Sequence, residues 1–134
     1  MLSNRSMAGC TVIPVIAYPD VADAALWLQS VFGFTMRLRI GDHRAQLDVG
    51  DGCIVITDRG SVGGYPGFSI MIRVENVDEH FETARENGAK IIADPIDFPY
   101  GERQYNAEDF AGYRWTFSQS IADVDPAEWG GVKV

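Results

Sequence analysis

Thr11–Tyr18 (TVIPVIAY) is nearly all apolar and rich in β-branched residues, which predicts a first strand. The period then changes. Ala24, Trp27, Leu28, Val31 and Phe32 recur at helical spacing, so a helix is expected from Val21 to about Phe32. Asp20 is placed to cap it, because a carboxylate there accepts from first-turn amides, and Gly33 is placed to end it. Alternation returns at Thr35–Ile40, with Met36, Leu38 and Ile40 set against Thr35, Arg37 and Arg39. Arg44–Val49 sets Leu47 and Val49 against Gln46 and Asp48, and the turn Gly50-Asp51-Gly52 leads into a strand at Cys53–Thr57.

After a glycine-rich bridge, Gly60 to Gly67, the pattern starts again. The bridge reads as a linker and not a phosphate loop, since no Gly-Lys-Ser/Thr follows and no helix opens directly behind it. Phe68–Val74 reads as a strand. Asn76 caps a second helix with Glu79 three residues on, Val77, Phe81 and Ala84 form its buried stripe, and Gly88 closes it. Lys90–Ala93 reads as a short strand and Asp94–Gly101 as a loop. A hairpin then runs from Gly101 to Phe117, turning at Asp109-Phe110-Ala111-Gly112. The helix-closing glycines Gly33 and Gly88 lie 55 residues apart, so the chain is a tandem βαβββ repeat. The expected organisation is a loose N-terminal arm over 1–10, one domain over 11–120 (modules about 11–58 and 68–120), and a tail over 121–134 whose one large apolar residue, Trp129, is placed to close a cavity, to pack at a dimer interface or to anchor the tail.

The 134 residues suffice for one ordinary domain, and 46% apolar with 22% charged residues is a globular balance. A net charge of -8 argues against a nucleic-acid partner, which needs a basic face. Cys10 and Cys53 form no C-x-x-C pair and no disulfide framework, so both read as reduced thiols. No apolar run approaches a membrane span and the N-terminus lacks a signal core, which points to a cytoplasmic protein without a membrane partner.

Three segments then carry a resemblance: Asp20–Phe34 ending in Phe32-Gly33-Phe34, Val74–Gly88, and Asp109-Phe110-Ala111-Gly112-Tyr113-Arg114-Trp115. In this order and spacing the chain resembles the vicinal-oxygen-chelate superfamily of glyoxalases, bleomycin-resistance proteins and extradiol dioxygenases. The resemblance implies an α+β fold, two βαβββ modules forming a cupped mixed sheet with helices on its outer face and a ligand cavity inside. It also implies a homodimer. Metal-binding members carry His or Glu ligands at positions that fall here near Ile13, Val55, Ser69 and Thr116. Aliphatic groups cannot ligate and lone hydroxyls are poor ligands for a divalent transition metal, so no metal and no cofactor are expected.

Alternation assigns the inner face. Ile70, Ile72 and Val74 should meet the helices, leaving Ser69, Met71 and Arg73 inside. By the same rule Gln46, Asp48, Val55, Arg114 and Thr116 face inward, and Trp115 and Phe117 pack outward. Arg103 and Tyr105, which share parity, are taken as a guanidinium and a phenol added to the cavity, with Tyr100 on its rim. Rival readings make Arg103 a surface ion-pair partner, Tyr105 a packing residue and His80 a solvated helix residue. Asp109 reads as a cap for turn amides. The leading expectation is a metal-free protein that binds and sequesters a small organic ligand, aromatic or peptide-like, as bleomycin-resistance proteins do. The alternatives are a metal-independent lyase or isomerase and a metabolite-binding accessory protein.

Overall fold

A computed structural model describes residues 2–60 and 67–132. Most of the glycine bridge therefore lies outside the described residues. The chain divides into two compact units, Met1–Val62 and Gly63–Val134. Each carries one βαβββ module, and each module forms its own four-stranded mixed sheet.

In the first unit the order is β1 (Val15–Ala17), α1 (Val21–Phe32), β2 (Thr35–Ile40), β3 (Arg44–Val49) and β4 (Gly52–Thr57). The sheet order is β1-β4-β3-β2, with β1 parallel to β4 and the remaining pairs antiparallel. The cap at Asp20 forms: its side chain accepts from the Asp23 amide at 3.0 Å. Gly33 ends the helix in the left-handed region at φ 78°, where a side chain would be strained. The buried stripe Val21, Ala24, Ala25, Leu28, Val31 and Phe32 packs on the sheet beside buried Ala45, Leu47, Ile54 and Ile56. The first strand is shorter than expected. Pro14 lacks a donor, and its carbonyl instead accepts from Val55 just before the ladder begins.

The second unit runs β5 (Ile70–Arg73), α2 (Val77–Glu86), β6 (Lys90–Phe98), β7 (Glu102–Glu108) and β8 (Arg114–Ser120), then a 3-10 turn at Pro126–Trp129. Its sheet order, β5-β8-β7-β6, repeats that of the first unit. Asn76 caps α2 by accepting from the Glu79 amide at 3.1 Å. The expected loop after Ala93 is strand instead: β6 continues to Phe98. Two register shifts, before and after Ala93, let the edge strand accommodate Pro95, which has no ladder donor to give. The hairpin turn closes as expected, with the Asp109 amide donating to the Tyr113 carbonyl at 3.0 Å. The Asp109 carboxylate accepts from the amides of Ala111 and Tyr113 and from the Trp115 indole. Trp115 is thereby buried with its N–H satisfied. Among the described residues no helix is long and apolar enough to cross a membrane.

Candidate functional site

Directly opposed residues in a ladder share a face. In the second unit Tyr105 opposes Phe117, Ala107 opposes Trp115 and Arg103 opposes Gln119. This set faces α2. The Tyr105 ring stacks on Phe117 at 5.2 Å and meets Phe81 of α2 edge-on at 5.3 Å, and the Gln119 side chain accepts from the Val77 amide at the start of α2. The placement of Arg103 and Tyr105 in an inner cavity is thus corrected. Tyr105 is fully buried beneath the helix, and burial holds its phenol protonated far above the usual range. Arg103 spans Asp78 of α2 and Asp97 of β6, each at 3.0 Å. His80 is corrected likewise: it is half-buried, its Nδ1 lies 2.5 Å from the Tyr105 hydroxyl, and its ring lies 4.2 Å from that of Phe117.

The opposite face of this sheet carries Glu102, Gln104, Asn106 and Glu108 on β7 against Ser120, Ser118, Thr116 and Arg114 on β8. Met71 and Arg73 of β5 pair with Thr116 and Ser118, so they share this face, and both are exposed. Ser69 precedes β5 and is exposed as well. A directional chain of hydrogen bonds crosses the face. The Tyr100 hydroxyl donates to Gln104 Oε1 at 3.3 Å, Gln104 Nε2 donates to Ser118 Oγ at 3.0 Å, and Ser118 Oγ donates to Glu102 Oε1 at 2.7 Å. Hydrogen bonding from Ser120 holds the Glu102 carboxyl below the usual carboxylate range, aided by Ser118 and the charge of Arg73 and opposed by desolvation. Thr116 donates to Asn106 Oδ1 at 2.5 Å, and Arg114 pairs with Glu108 at 3.3 Å. At the Glu102 end, the Phe98 and Tyr100 rings stack at 5.3 Å and Trp129 lies 5.2 Å from Tyr100.

The structure therefore brings Met71, Tyr100, Arg114 and Thr116 to one face, with Arg103 and Tyr105 on the other side of the same sheet. Gln104 and Ser120 lie on this face as well, and the sequence pattern assigned neither to it. Their signal was present: counting outward from the Asp109–Tyr113 closure pairs Tyr105 with Phe117 and puts the even-numbered residues of β7 on the face away from α2, where Gln104 and Ser118 are buried.

The first unit holds Gln46, Asp48 and Val55 on the sheet face away from α1, with Gln46 opposite Val55 and Asp48 opposite Cys53. Val55 and Gln46 are buried. The Gln46 side chain accepts from Arg37 Nη1 and donates to the Ser6 carbonyl at 2.9 Å, and Arg37 Nη2 donates to the carbonyls of Arg5 and Met7. The arm before Cys10 thus lies against this face. Arg37 of β2 is its anchor. The Cys53 thiol is pushed up to about 11, first by burial and then by the neighbouring Cys10 thiol. It is a protonated, weakly nucleophilic group at neutral pH.

The chemistry of the family's metal positions does not fit a metal here. Val55 offers hydrocarbon, Thr116 gives its proton to Asn106, and Ser69 offers a lone hydroxyl. Among the described residues no group of three or more His, Cys, Asp or Glu side chains converges.

The model of the Glyoxalase/Bleomycin resistance protein/Dioxygenase superfamily matches residues 11–117. TioX from Micromonospora sp. ML1 is 32% identical over 87% of this chain and 100% of its own, with a TM-score of 0.71. The fosfomycin resistance protein FosX from Listeria monocytogenes shares the fold at 16% identity, 84% and 94% coverage and a TM-score of 0.69. Lactoylglutathione lyase from Agrobacterium tumefaciens does so at 16% identity, 84% and 95% coverage and a TM-score of 0.65. No curated protein sequence matches the chain. On the family match and the identity to TioX together, the chain belongs to the glyoxalase/bleomycin resistance/dioxygenase superfamily.

Proposed function

We propose that the protein is a metal-independent small-molecule-binding member of its superfamily, which sequesters an aromatic or peptide-like compound on the sheet face of the second unit away from α2. One observation carries this reading: the polar groups of that face are committed to one another in a way that suits hydrogen-bonded recognition and not proton abstraction. Ser118 lies beside a carboxylate, but Glu102 is held below the usual range and is a poor base for a hydroxyl. The histidine of this unit is on the helix side, bonded to Tyr105. The Cys53 thiol stays protonated at neutral pH. Mixed hydrogen-bonding groups beside apolar and ring surface (Met71, Phe98, Tyr100) fit a medium-sized organic ligand. Two facts about relatives agree with this: the superfamily includes bleomycin resistance proteins, and FosX is a resistance protein.

The test is isothermal titration against a panel of glycopeptide and planar aromatic antibiotics, in buffer with and without EDTA. Binding to at least one compound is expected, unchanged by the chelator and weakened by Gln104→Ala. Absence of heat across the panel, or binding abolished by the chelator, overturns the reading.

A further inference from the structure

Strand β2 does not alternate as its sequence does. Arg37 and Arg39 share parity, so a regular strand would send both to the face that the arm covers. The ladder to β3 shifts register between Met36 and Leu38. Met36 opposes Leu47, but Leu38 opposes Gln46 and Arg39 opposes Ala45. Opposed residues share a face, and buried Ala45 and Leu47 lie on the face that meets α1. The bulge therefore re-aims Arg39 to the helix side while Arg37 stays with the arm. A guanidinium is thus placed on the face that Ala45, Leu47, Ile54 and Ile56 otherwise fill with hydrocarbon.

Beside Arg39 the packing opens. A cavity of about 470 Å³ lies between α1 and the β2–β3 hairpin. Buried Val21, Ala25 and Ala45 form its floor with half-buried Met36, and exposed Leu26, Arg39 and Asp42 form its rim. Protein interiors close-pack, and a mostly apolar gap of this volume with a few polar groups at its edge is of the size that holds a small molecule. The cation at the edge is uncommitted. Arg85, Arg103 and Arg114 each pair with a carboxylate, whereas Arg39 has no ion-pair or hydrogen-bond partner among the described residues, in a chain with an excess of acidic groups.

We propose that this cavity binds an aliphatic monocarboxylate of medium chain length, with its carboxylate on Arg39 and its hydrocarbon chain over Val21, Ala25, Met36 and Ala45. A guanidinium holds a carboxylate through two parallel N–H donors. No ring lines the floor, so a flexible chain fits it and a planar aromatic gains no stacking there. Asp42, on the same rim but beyond ion-pair reach of Arg39, disfavours a second negative charge on the ligand. The site lies in the first unit, under its helix, and is independent of the binding face proposed for the second unit.

The experiment uses the full chain carrying methyl-13C methionine, titrated with octanoate, octanamide, octanedioate and butanoate and followed by calorimetry and by the methionine methyl signals. Octanoate is expected to bind and to shift the Met36 signal, leaving that of Met71, on the second sheet, in place. Octanamide lacks the charge and octanedioate brings a second one, and each binds at least about fivefold more weakly. Butanoate leaves the floor largely uncovered and binds at least about tenfold more weakly. Arg39→Gln weakens octanoate about tenfold. Arg44→Gln, the same charge change on the face away from α1, holds affinity within about twofold. No binding of octanoate, equal binding of octanoate and octanamide, equal loss in the two variants, or a shift of Met71 in place of Met36 each overturns the proposal. None of these outcomes bears on the antibiotic panel, which reads the second unit.

Discussion

The two units repeat one plan and put it to opposite uses. Each has a βαβββ module, the same strand order and a capped helix over one face of its sheet. In the first unit the other face is met by the chain itself: Arg37 and Gln46 give their hydrogen-bonding capacity to the carbonyls of Arg5, Ser6 and Met7. In the second the equivalent face keeps its polar groups bonded to one another, and the added C-terminal segment docks at the Gly101 end and sets Trp129 at its margin. The repeat thus supplies a scaffold twice, and short terminal extensions decide what each copy exposes. Polar residues on a sheet face are no guide to a ligand site until their partners are known.

The largest expected effect tests whether each unit carries its own close-packed core. Phe117→Ala beneath α2 and Leu47→Ala beneath α1 should cost about 3–5 and about 2–5 kcal/mol respectively in urea unfolding. A loss under about 1 kcal/mol for either contradicts the packing described for that unit. The next test separates the two faces. Gln46→Ala removes the bond to the Ser6 carbonyl and leaves the Arg37 guanidinium short of an acceptor, at a cost of about 1–2 kcal/mol. It should also speed tryptic cleavage after Arg5, whereas Gln104→Ala should leave that cleavage unchanged. Equal cleavage in Gln46→Ala and wild type means that the arm is not held by this face.

The smallest effect concerns pH. The folded-state pKa of Glu102 is lowered, so its contribution to stability is present above the ordinary carboxylate pKa. It is lost as pH falls through the lowered folded value. Wild type should therefore exceed Glu102→Gln in Tm near neutrality, and the gap should close as the pH falls below the ordinary carboxylate range and through the lowered folded value. A gap independent of pH means that the Ser118 and Ser120 hydrogen bonds do not depend on the charge.

The sequence by itself determined the local elements. Asp20 and Asn76 start helices, Gly33 ends one, Asp109 closes its turn, and clean alternation orients β3 and β8, because each of these rules acts within a few residues. It also determined the family, through three segments in a fixed order. Only the tertiary structure decided the rest. Strand β7, ERQYNAE, mixes polar and apolar residues on both parities, so its faces follow from pairing with β8 and from α2 above Tyr105. His80 lies on a helix whose exposed face looks much the same in one dimension, and the phenol that receives it is 25 residues away. The arm and the tail have no periodicity at all. Their places were set by a few long-range bonds, to Arg37 and Gln46 and to Gly101, which local propensity does not encode.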